Sequence, residues 1–147
     1  MATLARTALE RSVGALLSSE VALCESVIAD DDRIDAAYHQ IERRAVDIIG
    51  RQQPVASDLR LLVALLHVAL HLERIGDMGV NVAVATRSSM GLPANGDVLS
   101  RLQEMGDTAI SMTDLAVEAF IRRDQAGCEQ LPQLDDRIDE VNRANVA

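Results

Sequence analysis

Among the pairs of acidic residues that stand four positions apart in this chain are Asp31 with Asp35, Glu73 with Asp77, and Asp135 with Asp139. On a helix that spacing places two carboxylates one turn apart, where they repel by about 0.2–0.5 kcal/mol even when solvated. Two of the pairs lie in the same pentapeptide, DDRID, written at Asp31–Asp35 and again at Asp135–Asp139. On a wheel of about 100° per residue with Leu62 at zero, Glu73 falls within about 20° of Leu62, inside the apolar stripe, and Asp77 about 60° away, at its edge. With Ile34 at zero, Asp31 lies about 60° away and Asp35 about 100°. Carboxylates that border a buried stripe need a positive partner: an arginine, a proton or a metal. Their oxygens suit hard cations such as Mg²⁺, Ca²⁺, Mn²⁺ or Fe³⁺. Two helices that each present such a pair could hold one ion, or a small cluster, between them. In the competing reading Arg33 or Arg74 neutralises the acids and Asp31 only caps a helix.

Other chemistry is poorly represented. His67 and His71 share one helix face, opposite the apolar stripe, but that face offers no third ligand for zinc. Cys24 and Cys128 read as small packing residues. There is no Gly-rich phosphate loop, no Ser/His/Asp arrangement, no nucleophile elbow and no Glu-x-x-His pair. The net charge is −9 and all fourteen basic residues are scattered arginines, which disfavours nucleic acid as a partner. The longest apolar run, Leu61–Leu70, is interrupted by His67 and is too short to span a bilayer. Without a secretory leader at Met1–Arg11, the expected location is cytoplasmic.

The elements that must position these acids are helices. The chain is 48% hydrophobic yet nearly free of aromatics, with eight Gly and three Pro, a balance that suits aliphatic helices better than sheets. Apolar periodicity predicts a first helix over about Thr3–Ala29, with Leu9, Val13, Leu16, Leu17, Val21 and Leu23 inward. A second helix follows the Asp30–Asp32 cluster, which supplies its N-cap, and carries Ile34, Tyr38, Ile41, Ala45, Ile48 and Ile49 to about Gly50–Arg51. Gln53-Pro54 separates it from a long third helix, capped near Ser57 and ending near Ser88. Its stripe is Leu62, Leu65, Leu66, Ala69, Leu72, Gly76, Val80 and Ala83. The loop Met90–Asp97 leads to a fourth helix, about Val98–Arg123, and the second DDRID opens a fifth.

Aligning the halves on DDRID sets Cys24 on Cys128, Ala22 on Ala126 and Leu17 on Ile121, which marks an internal repeat. The fourth helix answers to the first and the fifth to the second, and the long third helix has no counterpart. The second unit is therefore left with an open apolar seam. The expected organisation is a three-helix unit over residues 1–90 and a partial, two-helix unit over 97–147.

Three stretches in order, VIADDDRID (Val27–Asp35), RQQPVASDLR (Arg51–Arg60) and LERIGDMGVNVA (Leu72–Ala83), resemble the PhoU family of phosphate-signalling proteins. The resemblance extends along the whole chain. It implies an all-α fold of tandem three-helix bundles like spectrin repeats, the second bundle incomplete here, and metal sites at Asp31, Asp35, Glu73, Asp77, Asp135 and Asp139. The cofactor it implies is a divalent or trivalent metal ion, with Fe, Mg, Mn or Zn as candidates. It further implies no catalysis, a homodimer, and a negative regulator of the phosphate-starvation response. The partners implied are the ATPase subunit of the phosphate ABC transporter and a sensor histidine kinase, so the protein would be peripheral to the membrane through them. A complete member would carry one more long helix with a second Glu-x-x-x-Asp. The resemblance thus implies a partial chain, or a bundle that another chain completes. The alternatives are a helical interaction module without functional metal, and a metal-storage protein or metalloenzyme that uses the carboxylates.

Overall fold

The computed structural model describes residues 1–91, 93 and 95–146, and among them the chain forms seven helices and no strand. They are α1 (Ala2–Ser18), α2 (Val21–Ala29), α3 (Asp31–Gln52), α4 (Ala56–Ser88), α5 (Gly96–Arg122), the single turn α6 (Gln125–Cys128) and α7 (Leu131–Val146). α1 with α2, α3 and α4 pack into a three-helix bundle. α5 lies against α1, and α6 and α7 pack on α5. The architecture is the expected all-α pair of bundles, the second lacking its third helix.

Small side chains make the central contact. Ala5, Ala8, Ser12 and Ala15 are all buried and recur at helical spacing along α1. They pack on α4, where Ala8 lies against Gly79 and Ala15 shares a buried cluster with Ala83. At Gly79 the helices nearly touch, since a Cβ there would sit 3.2 Å from the carbonyl carbon and oxygen of Ala8. The deepest stripe of α1 is thus alanine and serine, and of the larger residues expected inward on it only Val13 is buried. Val13 faces away from α4, toward α5, where it fills the space over Gly106.

The expected helix Thr3–Ala29 is two helices. Ser19 takes a left-handed conformation (φ 54°) and Glu20 an extended one, which turns the chain between α1 and α2. Neither Gly nor Pro marks the break. The Ser18-Ser19 pair is its nearest local cause, because serine hydroxyls compete for helix carbonyls, and Ser18 Oγ donates to the Gly14 carbonyl at 2.9 Å. Val21, placed inward by the longer helix, is 46% exposed instead. The turn recurs at Arg123 (φ 55°) and Asp124, which lie as far from Ser19 and Glu20 as the second DDRID lies from the first. The repeat is therefore written in backbone conformation as well as in residues. It is unequal at the cysteines, however: Cys24 is buried in the first unit, whereas Cys128 is exposed.

Two expected caps differ. Asp30 occupies the N-cap position of α3, yet its side chain makes no capping bond. Val55, rather than Ser57, precedes α4. Asn95 does cap α5, its Oδ1 accepting from the Asp97 amide at 2.9 Å. Of the loop expected over Met90–Asp97, Leu92 and Ala94 lie outside the described residues, as does the terminal Ala147. α7 starts at Leu131, so the second DDRID lies inside a helix already begun, with Pro132 in the first turn where its missing N–H is harmless.

Candidate metal centre

The first DDRID and the LERIGD stretch meet across the α3–α4 seam. Ile34, 3% exposed, packs on Gly76, where an added Cβ would come within 2.6 Å of Ile34 Cδ1. This contact sets the height at which the flanking acids face one another. Asp31 and Asp35 flank Ile34 on α3, and Glu73 and Asp77 flank Gly76 on α4. One carboxylate oxygen from each of Asp31, Asp35 and Asp77 lies within 4.8 Å of the other two. Ligand oxygens on a hard cation stand ~2.0–2.6 Å from it, so opposite ligands are ~4–5 Å apart. The three oxygens therefore fit within the first coordination sphere of one ion. Glu73, one turn before Asp77, is close enough to feel all three charges.

All four acids are half-buried, and none takes part in an ion pair among the described residues. Arg33, a sequence candidate for neutralising them, turns to Asp30 instead, its Nη1 donating to Oδ1 at 3.2 Å. Arg74 is exposed and is the weakest influence on Glu73. Asp31 Oδ1 is buried from solvent and accepts no hydrogen bond from the described residues. Such an oxygen costs free energy unless a proton or cation supplies the missing partner. Its chemistry fits a metal ligand, and the all-oxygen donor set fits Mg²⁺, Mn²⁺, Ca²⁺ or Fe³⁺ better than zinc.

Burial, then the neighbouring Asp35 and Asp77 charges, push the Asp31 carboxyl above its ordinary value. Burial, then Asp77, Asp35 and Asp31, do the same to Glu73. Between the ordinary and the raised values the metal-free folded chain binds more protons than the unfolded one, so stability falls as pH rises through that window. Metal-free protein titrated from pH 7 down into the carboxylate range should accordingly gain in Tm relative to a Glu73→Gln, Asp77→Asn variant. Parallel pH profiles for the two would show that the acids do not interact.

Asp135 and Asp139 are exposed on α7, and no third Asp, Glu, His or Cys among the described residues completes a group with them. Among the described residues no helix stands across from them as α4 stands across from Asp31 and Asp35. His67 and His71 are exposed on α4, away from the acids. Spacing does not single out Arg11, whose guanidinium reaches from α1 to the residue just before Asp31, with Nη1 donating to Asp30 Oδ2 at 2.6 Å. Only a position-by-position comparison of the two repeats would have drawn attention to it.

The PhoU domain model matches residues 1–86 and 102–145. Among curated proteins the chain is similar to the phosphate-specific transport system accessory protein PhoU homolog 1 of Mycobacterium tuberculosis, 32% identical over 146 residues, 97% of this chain and 65% of the relative. It is also similar to the PhoU homolog of Rhizobium meliloti, 33% identical over 144 residues, 96% of this chain and 60% of the relative. The chain thus spans less than two thirds of the length of these relatives. The crystal structure of PhoU from Pseudomonas aeruginosa superposes with a TM-score of 0.91 at 28% identity, covering 98% of this chain and 69% of that one. Matched by this family model over most of its length, and similar to these relatives along nearly all of it, the chain belongs to the PhoU family.

Proposed function

We propose that this chain acts as a metal-binding regulatory adaptor of phosphate uptake, restraining the phosphate-starvation response when phosphate is plentiful. The observation that carries the metal part is the Asp31, Asp35 and Asp77 cluster, with Glu73 beside it and one Asp31 oxygen buried without a partner. Asp31, Asp35 and Asp77 hold the ion, and Glu73 completes its shell. The role in phosphate transport is supported by relatives named as accessory proteins of the phosphate-specific transport system. In this reading the protein is not an enzyme. It works between the transporter's ATPase subunit and a sensor histidine kinase, on the cytoplasmic side, as a homodimer. Among the described residues no helix is long and apolar enough to cross a membrane, which suits attachment through partners. The exposed Leu59, Leu61, Val63 and Leu65 on the first half of α4 suit protein contacts.

A clean deletion tests the regulatory reading. Phosphate-starvation genes should be expressed at a high level in phosphate-rich medium, and the wild-type gene should restore repression. Unchanged expression would contradict the role. If Asp31→Asn, Asp77→Asn restored repression as well as the wild type does, the adaptor would work without its metal, as a helical interaction module.

A further inference from the structure

We infer that Arg11, Ser26 and Asp30 form a latch that positions Asp31 for metal binding. The inference rests on the metal reading of the acid cluster. Arg11 Nη1 donates to Asp30 Oδ2 at 2.6 Å, and Nη2 donates to Ser26 Oγ at 2.5 Å. The Ser26 hydroxyl in turn donates to the Leu23 carbonyl at 2.7 Å, so its oxygen is oriented to receive the arginine. Asp30 joins α2 to α3 in a helical conformation, and its amide bonds back to the Ser26 and Val27 carbonyls. An Asp at this position ordinarily folds its carboxylate over the amides of the following turn. Here the carboxylate is turned outward to Arg11 and Arg33 and caps nothing.

This choice has a geometric consequence. Arg11 belongs to α1, the helix packed most closely against α4 through Ala8 and Gly79. Tying Asp30 to α1 therefore fixes the first turn of α3 relative to α4, and with it Asp31 relative to Asp77. A site whose ligands come from two helices needs such support, because outer contacts hold the ligand oxygens within a fraction of an ångström of their working positions.

The second repeat supplies an internal comparison. Leu115 stands at the position of Arg11, Gln130 at that of Ser26 and Leu134 at that of Asp30, while Arg33 keeps its counterpart in Arg137. The charged latch is absent from the unit whose acids, Asp135 and Asp139, meet no third ligand among the described residues. It is present in the unit whose acids converge. Arg137, without an Asp30 equivalent, pairs with Glu104 and Glu140 instead.

The test is calorimetric titration of metal-free full-length chain with Mn²⁺, checked by the loss of free Mn²⁺ signal in electron paramagnetic resonance. The double variant Arg11→Leu, Asp30→Leu installs the residues of the second repeat and leaves the net charge unchanged. Its Mn²⁺ Kd should rise by about tenfold or more, the range for outer-shell support of a metal site. Arg11→Leu alone removes a positive charge near the acids, so simple electrostatics predicts tighter binding, whereas the latch predicts weaker. Metal-free melting of each variant separates a purely structural effect. Lower Tm with an unchanged Kd, or tighter binding by Arg11→Leu, would overturn the latch while leaving the metal site standing. Failure of the wild-type chain to bind Mn²⁺ would overturn the metal reading, and the latch with it.

Discussion

Asp77→Asn is expected to weaken Mn²⁺ binding by at least about 100-fold, beyond what loss of an outer contact does, and to stabilise the metal-free protein. Both effects come from one arrangement. Asp77 contributes one of three oxygens gathered within a single ion's reach, and it is the only one of the three on α4. Without it the remaining ligands of the group, Asp31 and Asp35, come from one helix turn, and Glu73 alone is left to bridge from α4. In the metal-free chain, Asp77 raises the cost of ionising both Asp31 and Glu73. Removing its charge relieves at least one like-charge pair on α4 and others across the seam, roughly 0.5 kcal/mol or more in total. Titration of Asp77→Asn against the wild type reads the first effect, and thermal melting in chelator reads the second. The variant should melt higher than wild type in chelator and lower in excess Mn²⁺, so the order of stability reverses. An Asp135→Asn, Asp139→Asn variant serves as the control. The carboxylates it removes are exposed and screened, and its Kd should stay within about twofold of wild type.

Gly79→Ala should destabilise the fold by roughly 1–3 kcal/mol, the usual cost of forcing a methyl group into a filled contact. The new Cβ would meet Ala8 carbonyl atoms at 3.2 Å and the Leu9 amide nitrogen at 3.3 Å, so relief requires α1 to move as a backbone. Movement of α1 opens the stripe of Ala5, Ala8, Ser12 and Ala15 against α4, on which the first bundle is built. The same change at Gly50 should have the opposite sign. Gly50 lies near the end of α3 with nothing within 4 Å of an added Cβ, so alanine gains helix propensity of up to about 1 kcal/mol without a clash. Urea denaturation of the two variants checks both signs. Equal effects would show that propensity rather than close approach governs the α1–α4 contact.

The helical class, the repeat and the convergence of the first two acid pairs were legible because each follows from periodicity. Ile34 and Gly76 fall on their stripes, and residues beside them in sequence stand beside them in space. The break at Ser19 was not legible. It needs a left-handed serine, which local propensity disfavours, and tertiary packing of α2 on α1 and α4 maintains it. The importance of small residues on α1 was hidden for a related reason. A hydrophobicity pattern weights Leu9 and Leu16 above Ala8 and Ser12, whereas close helix approach rewards the residues that take least space. Asp30 shows the limit of reading caps from composition: an aspartate in the N-cap position was diverted by an arginine nineteen residues earlier on another helix. Nor did spacing distinguish Asp31 and Asp35 from Asp135 and Asp139. The pentapeptides are identical, and what separates them lies outside them: α4 across from the first, and the Arg11 and Asp30 that precede it.

Anomalous diffraction from crystals of the full chain grown with Mn²⁺ tests the convergence of these carboxylates most directly. A peak at bonding distance from oxygens of Asp31, Asp35 and Asp77, with Glu73 turned toward it and nothing at Asp135 and Asp139, is the expected result. A density map with no peak at the α3–α4 seam, or with manganese bound only elsewhere on the molecule, would contradict it.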